Sequence, residues 1–176
     1  VTISRALGRL AAVVACAAVP LCAAAQGVPG AVTTIAGGAS PGIKDGPALA
    51  AQFLVPSGLA RGANGSLYVS DPAAQRIREM LADGTVRTVA GSGALGALGL
   101  SVAGGYRDGP ALEAQFNGPA GMAVGPDGAL YIADSYNACI RKLQNGAVTT
   151  VVGKPGESRV TDGDATTGRL NLPLSL

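Results

Sequence analysis

The chain has 176 residues, with 13 Lys and Arg against 11 Asp and Glu, no His, no Trp, 27 Gly and 11 Pro. A Gly-rich chain with many short Val/Ile/Thr runs reads as all-β with tight turns, which sets a helical bundle aside. Without imidazole, His-bearing zinc or copper sites, Ser-His-Asp triads and Cys-His pairs are excluded.

The first 25 residues form a separate object. Arg5 and Arg9 open it, an apolar run covers 10–21, and Ala23-Ala24-Ala25 stands before Gln26. That layout is a secretory signal peptide over 1–25, and it places the protein in the periplasm or outside the cell. Removing it leaves 11 of the 13 basic residues against 11 acidic ones, a balance with no electrostatic footprint for nucleic acid. Cys16 and Cys22 fall in the same segment, so Cys139 remains alone and no internal disulfide is expected. A less favoured reading takes Val13-Val14-Ala15-Cys16 as a lipobox with a lipid anchor at Cys16, although the apolar run before it is short. Pro20 interrupts the run before it reaches the roughly 18 residues of a membrane-spanning helix.

From Ala31 onward the chain repeats itself. Asp45-Gly46-Pro47-Ala48-Leu49 through Gln52-Phe53 returns as Asp108-Gly109-Pro110-Ala111-Leu112 through Gln115-Phe116, 63 residues on. The same offset carries Leu67-Tyr68-Val69 to Leu130-Tyr131-Ile132, Asp71 to Asp134 and Ile77-Arg78 to Ile140-Arg141. A third copy starts at Asp162-Gly163, 54 residues after the second, and the excess of the first interval lies in a Gly/Ala/Leu/Ser loop over 92–106. Asn64-Gly65, Asp83-Gly84, Asp127-Gly128 and Asn145-Gly146 supply positive-φ residues for hairpin turns. Between them lie four short strands per repeat: 57–61, 66–70, 76–81 and 85–90, then 121–125, 129–133, 139–143 and 147–152. The fold class is therefore all-β, with β-propeller blades of four antiparallel strands. Blade one covers about 45–91, blade two about 108–153, and 162–176 begins a third within a propeller region over 26–176. Residues 31–38 match 84–91 and 146–153, so the region opens with a fourth strand. A closed propeller has about four to eight blades, so an incomplete propeller is expected, from a truncated gene product or an incomplete gene model.

The string Asp134-Ser135-Tyr136-Asn137-Ala138-Cys139-Ile140-Arg141-Lys142, with Gly128 to Ala133 before it and Val148 to Gly153 after it, resembles an NHL repeat of the exported bacterial and teneurin-like kind. The first copy departs from the pattern, with Pro72 for Ser135 and Ala74 for Asn137. The resemblance implies a loop face that binds proteins, glycans or, in intracellular members, RNA; the export signal and the charge balance set RNA aside.

The tentative ligand-binding face comprises Asp134, Ser135, Tyr136 and Asn137, with Asp71, Gln75 and Arg76, and with Tyr106 and Arg107 at the end of the long loop. Exposed Tyr beside amides and Arg is the composition of recognition surfaces. Asp71 and Asp134 carry two readings, as ligand or calcium contacts and, preferred, as turn acceptors or partners of Arg78 and Arg141. Asp45, Asp108 and Asp162 read as caps of a single helical turn, and Cys139 as a small buried apolar side chain. The expected function is that of an exported recognition or scaffold module for a protein or glycan, with no catalytic residue, metal ligand or cofactor assigned. The alternatives are a calcium-dependent propeller hydrolase of the lactonase-like kind, with calcium as its cofactor, and an inactive truncated product.

Overall fold

The computed structural model describes residues 30–98 and 101–176. The expected signal segment with Cys16 and Cys22 lies outside them. The chain divides into Val1–Thr33 and Thr34–Leu176, and the architecture below is that of the second unit.

Short runs of β-branched and apolar residues between Gly-containing turns form two five-stranded antiparallel sheets. The first contains β1 (Gly46–Pro47), β2 (Leu59–Arg61), β3 (Leu67–Asp71), β4 (Arg76–Met80) and β5 (Thr85–Ala90), in the order β1-β5-β4-β3-β2. The second contains β6 (Gly109–Pro110), β7 (Pro119–Val124), β8 (Leu130–Asp134), β9 (Cys139–Gln144) and β10 (Ala147–Gly153), in the order β6-β10-β9-β8-β7. These are the two blades of the repeat. Each gains a two-residue edge strand because the Gly-Pro after the repeated Asp pairs with the outer strand of its own blade, as Gly46 does with Val86 and Gly109 with Val148.

Turn geometry divides by loop length. Asn145 and Gly146 both adopt positive φ, 51° and 74°, as expected for a two-residue hairpin loop. At the other three turns only Gly65, Gly84 and Gly128 do so. There the Gly N–H donates to the carbonyl three residues back and the preceding Asn or Asp keeps negative φ, the pattern of three-residue loops. The expectation of paired positive-φ residues thus fails at 64–65, 83–84 and 127–128, because each of those loops holds one more residue.

The blades pack face to face. Phe116, Met122, Leu130 and Ile132 of blade two are buried in one cluster with Ala60, Ile77 and Ala90 of blade one. One repeat earlier the position of Met122 is held by Leu59, which is 67% exposed because no further blade among the described residues packs on that face. Glycines let the inner strands approach: a Cβ on Gly58 would stand 2.3 Å from the Ala120 carbonyl oxygen, and one on Gly121 would stand 2.5 Å from that of Leu174. The Gly121 N–H donates to the Leu174 carbonyl at 2.9 Å, so the third copy begins by packing on blade two as blade two packs on blade one.

Residues 34–38 join no ladder, against the expectation of a strand over 31–38, since no described residue offers a partner backbone. Their contact with the following blade is nevertheless that of a fourth strand: the Gly37 N–H donates to the Ala48 carbonyl as Gly91 does to Ala111. The long loop is fastened at its middle, where Val102 is buried, bridges to Leu95 and donates its N–H to the Ala73 carbonyl at 2.7 Å.

Candidate functional site

Each blade is closed by one buried arginine. Arg141 on β9 is wholly buried; its Nε and Nη2 bond Asp108 Oδ1 at 3.0 and 2.6 Å, its Nη1 bonds Asp134 Oδ2 at 2.7 Å, and it also donates to the Gln115 and Arg107 carbonyls. Its guanidinium lies 4.8 Å from the Tyr106 ring centroid and 5.1 Å from that of Phe116. Arg78 on β4 repeats the arrangement with Asp45, the Gln52 and Lys44 carbonyls and the Phe53 ring.

This corrects the reading of Asp45 and Asp108 as helix caps. The turn Ala48–Ala50 has no side-chain cap, and the two carboxylates instead accept from the buried arginine and from the N–H of Thr88 or Thr150. A guanidinium removed from water needs its carboxylate more than an exposed turn N–H needs a cap. In the third copy Asp162 is exposed, and the capping bonds, to the Thr166 and Thr167 N–H groups, come from Asp164.

The loop between the second and third strands of blade two holds most of the expected site. After β8 the chain makes a 3-10 turn, Ser135–Asn137, and leaves it through Ala138 at φ 52°. Asp134, before the turn, is fully buried and accepts from the Asn117 N–H at 2.7 Å, from Asn137 Nδ2 at 2.8 Å and from Arg141. Burial pushes its carboxyl above the ordinary range, against the lowering by those three donors. Asn137 also donates to the Gly105 carbonyl at 2.9 Å, and Ser135 Oγ to the Pro173 carbonyl at 2.6 Å. In blade one Asp71 is equally buried and accepts from the Leu54 and Val55 N–H groups at 2.8 Å each. Gln75, at φ 53°, accepts from the Gly118 N–H at 2.7 Å and so ties blade one to blade two, while Arg76 donates to the Ala74 and Gly93 carbonyls.

Five of the nine expected site residues therefore bury their polar groups, and Arg76 is half-buried. The three most open to solvent are Tyr136, 69% exposed, Tyr106, 42% exposed, and Arg107. Tyr136 packs its ring where a Gly118 side chain would stand. The Tyr106 hydroxyl lies 2.7 Å from Thr150 Oγ1, and Arg107 donates to the Glu113 carbonyl. In blade one Ala73 occupies the place of Tyr136, and the long loop rests on it. The aromatic surface on this face thus belongs to blade two.

Cys139 is buried, and burial raises its thiol pKa to about 12, so it sits as an inert apolar group. Among the described residues no group of three or more His, Cys, Asp or Glu side chains gathers. None of the described helices is long and apolar enough to cross a membrane. Proximity in sequence offers the clamp arginines only as partners of Asp71 and Asp134; the constant spacing of 33 residues from Asp45 to Arg78 and from Asp108 to Arg141 is the signal that finds their main partners.

Residues 116–143 match the family model described as the NHL repeat. Among solved structures the chain is similar to a structural-genomics protein of unknown function from Bacteroides thetaiotaomicron, at 29% identity and a TM-score of 0.58, over 68% of this chain and 29% of that one. It is also similar to an auxiliary nutrient binding protein from the same organism, at 23% identity and a TM-score of 0.54, over 66% of this chain and 31% of that one. A third similarity is to an auxiliary nutrient binding protein from Bacteroides ovatus, at 20% identity and a TM-score of 0.51, over 66% and 31%. The chain thus spans less than a third of the length of these structures. No curated protein matches it.

Proposed function

We propose that this chain, a β-propeller protein of the NHL-repeat family, is an exported recognition module that binds a protein or a glycan through the loop face around Tyr136. The single observation that carries the reading is the arrangement at 134–138. Asp134, Ser135 and Asn137 spend their polar groups on the interior, and Tyr136 between them stands in solvent on a turn that they hold rigid. A large amphipathic ring on a preorganised backbone loses little entropy on binding and is the usual anchor of a recognition surface. Tyr106 and Arg107 extend the surface with a second ring and a cation. Two of the structurally similar proteins are auxiliary nutrient binding proteins, which accords with a binding role, and the charged, apolar and small-residue order of residues 1–25 supports export.

The test immobilises the secreted chain, measures capture of a glycan panel and of extracellular proteins, and repeats the strongest interaction with Tyr136→Ala. Truncation of a central Tyr is expected to cost about 2 kcal/mol of binding, roughly a 30-fold rise in Kd, with the melting temperature unchanged. Unaltered binding by the variant contradicts the proposal.

A further inference from the structure

We propose a second binding site, for a neutral oligosaccharide, in the groove between the blades at the edge opposite the Tyr136 loop. The topology fixes which edge this is. The β7–β8 and β9–β10 turns border the groove through Asp127 and Asn145, whereas Tyr136 lies in the β8–β9 connection at the other end of the same strands. The groove has a volume of about 670 Å³ and is open along one side, within the range of roughly 300–1,000 Å³ typical of small-molecule sites.

Its blade-one wall is a single cross-strand row. Ala60 pairs with Tyr68, Tyr68 with Glu79, and Glu79 with Arg87, so the four side chains stand on one face of the sheet, from the inner strand to the outer one. Ala60 is buried against blade two, the Glu79 side chain is 7% exposed, and that of Arg87, at the outer end of the row, is 58% exposed. Arg87 bonds Glu79 Oε2 through Nε and Nη2 at 2.9 and 2.7 Å. Burial, and then the Glu79 charge, raise the Tyr68 hydroxyl above its ordinary pKa, which keeps it a neutral donor.

The row is a property of this groove and not of the repeat. The corresponding row of blade two reads Ala123, Tyr131, Lys142 and Thr149, with Lys142 paired to Asp127 at 2.8 Å. A blade of this fold therefore forms without the Glu–Arg pair, and a carboxylate brought almost wholly out of water needs a reason beyond stability.

Two features select the ligand class. Both ion pairs at the groove, Glu79 with Arg87 and Asp127 with Lys142, are internally neutral, so neither an anionic nor a cationic ligand gains from net charge. The lining is apolar at Val89, Leu112 and Leu143 and offers carboxylate, guanidinium, phenol and amide groups beside them. A pyranose chain presents the matching alternation, apolar C–H faces flanked by vicinal hydroxyls that planar carboxylate and guanidinium groups bond in pairs.

The experiment is isothermal titration of the secreted chain with neutral hexasaccharides of β-1,4-glucose, β-1,4-mannose, β-1,4-xylose and α-1,4-glucose, with sialyllactose as the acidic control. At least one neutral sugar is expected to bind and sialyllactose not to. Arg87→Ala and Leu112→Asn are each expected to weaken that sugar about tenfold or more, while Arg61→Ala, at an exposed position outside the groove lining, leaves it unchanged. Leu112 is exposed and outside the ion pair, so its substitution reads the groove even if loss of Arg87 disturbs Glu79. Absence of binding by every neutral sugar overturns the proposal. So does binding that Tyr136→Ala abolishes and the groove variants do not, which would assign the sugar to the loop face; preference for sialyllactose overturns the neutral class.

Discussion

Arg141→Ala is expected to lower the unfolding free energy by about 3–5 kcal/mol, the usual cost of removing one partner from a buried ion pair. The substitution takes a charged donor from more than one group. Asp134 is left fully buried with only the Asn137 amide and the Asn117 N–H, Asp108 loses both of its guanidinium bonds, and the Gln115 and Arg107 carbonyls keep only each other's backbone N–H. Arg141→Lys is not expected to rescue, because one ammonium cannot serve acceptors that a planar fork reaches on both edges. Arg78→Ala in blade one is expected to cost less. Its neighbour Asp71 is held by the Leu54 and Val55 N–H groups and does not depend on the arginine. Urea denaturation of the three variants measures this order, and a loss below about 1 kcal/mol for Arg141→Ala would mean that the clamp is not what closes the blade.

The second large effect is expected from Gly153→Ala at the end of β10. Gly153 has φ 93°, and a Cβ there would stand 2.3 Å from the Ala138 carbonyl oxygen and 2.7 Å from Cys139 Cα, both backbone atoms that cannot step aside. Left-handed strain and overpacking add to about 2–4 kcal/mol. Gly146 separates the two terms, since it also has positive φ, 74°, but meets nothing within 4 Å. Gly146→Ala is therefore expected to cost only about 1 kcal/mol. Equal losses in thermal unfolding would show that the close approach carries no energy.

The architecture was legible because the repeat is arithmetic. The recurrence of Asp-Gly-Pro-Ala-Leu and of the hairpin glycines located eight strands to within two residues, and the structure adds only the short edge strands β1 and β6. Loop length, not the Asn-Gly or Asp-Gly pair, decided the turn type, and pair chemistry alone could not separate 145–146 from the other three. The site was legible as a loop but not as a surface. Ser135 and Asn137 are turned inward by Pro173 and Gly105, partners 38 and 32 residues away that no local pattern announces. Local reasoning likewise gave Asp45 and Asp108 the nearest backbone N–H to cap, when the decisive partner was a guanidinium in the third strand. The groove depends on the register that sets Tyr68, Glu79 and Arg87 side by side, and register emerges only when the strands are paired.

The central claim is that polar residues of the loop face build the turn and its aromatic tip does the binding. Thermal unfolding of Asp134→Asn beside Tyr136→Ala tests it most directly. Asp134→Asn removes the charge paired to Arg141 and is expected to lower the melting temperature by several degrees, on the order of 2 kcal/mol or more, whereas Tyr136→Ala leaves it in place and loses ligand. An Asp134→Asn protein that melts with the wild type and binds less would instead make Asp134 a ligand contact and contradict the account.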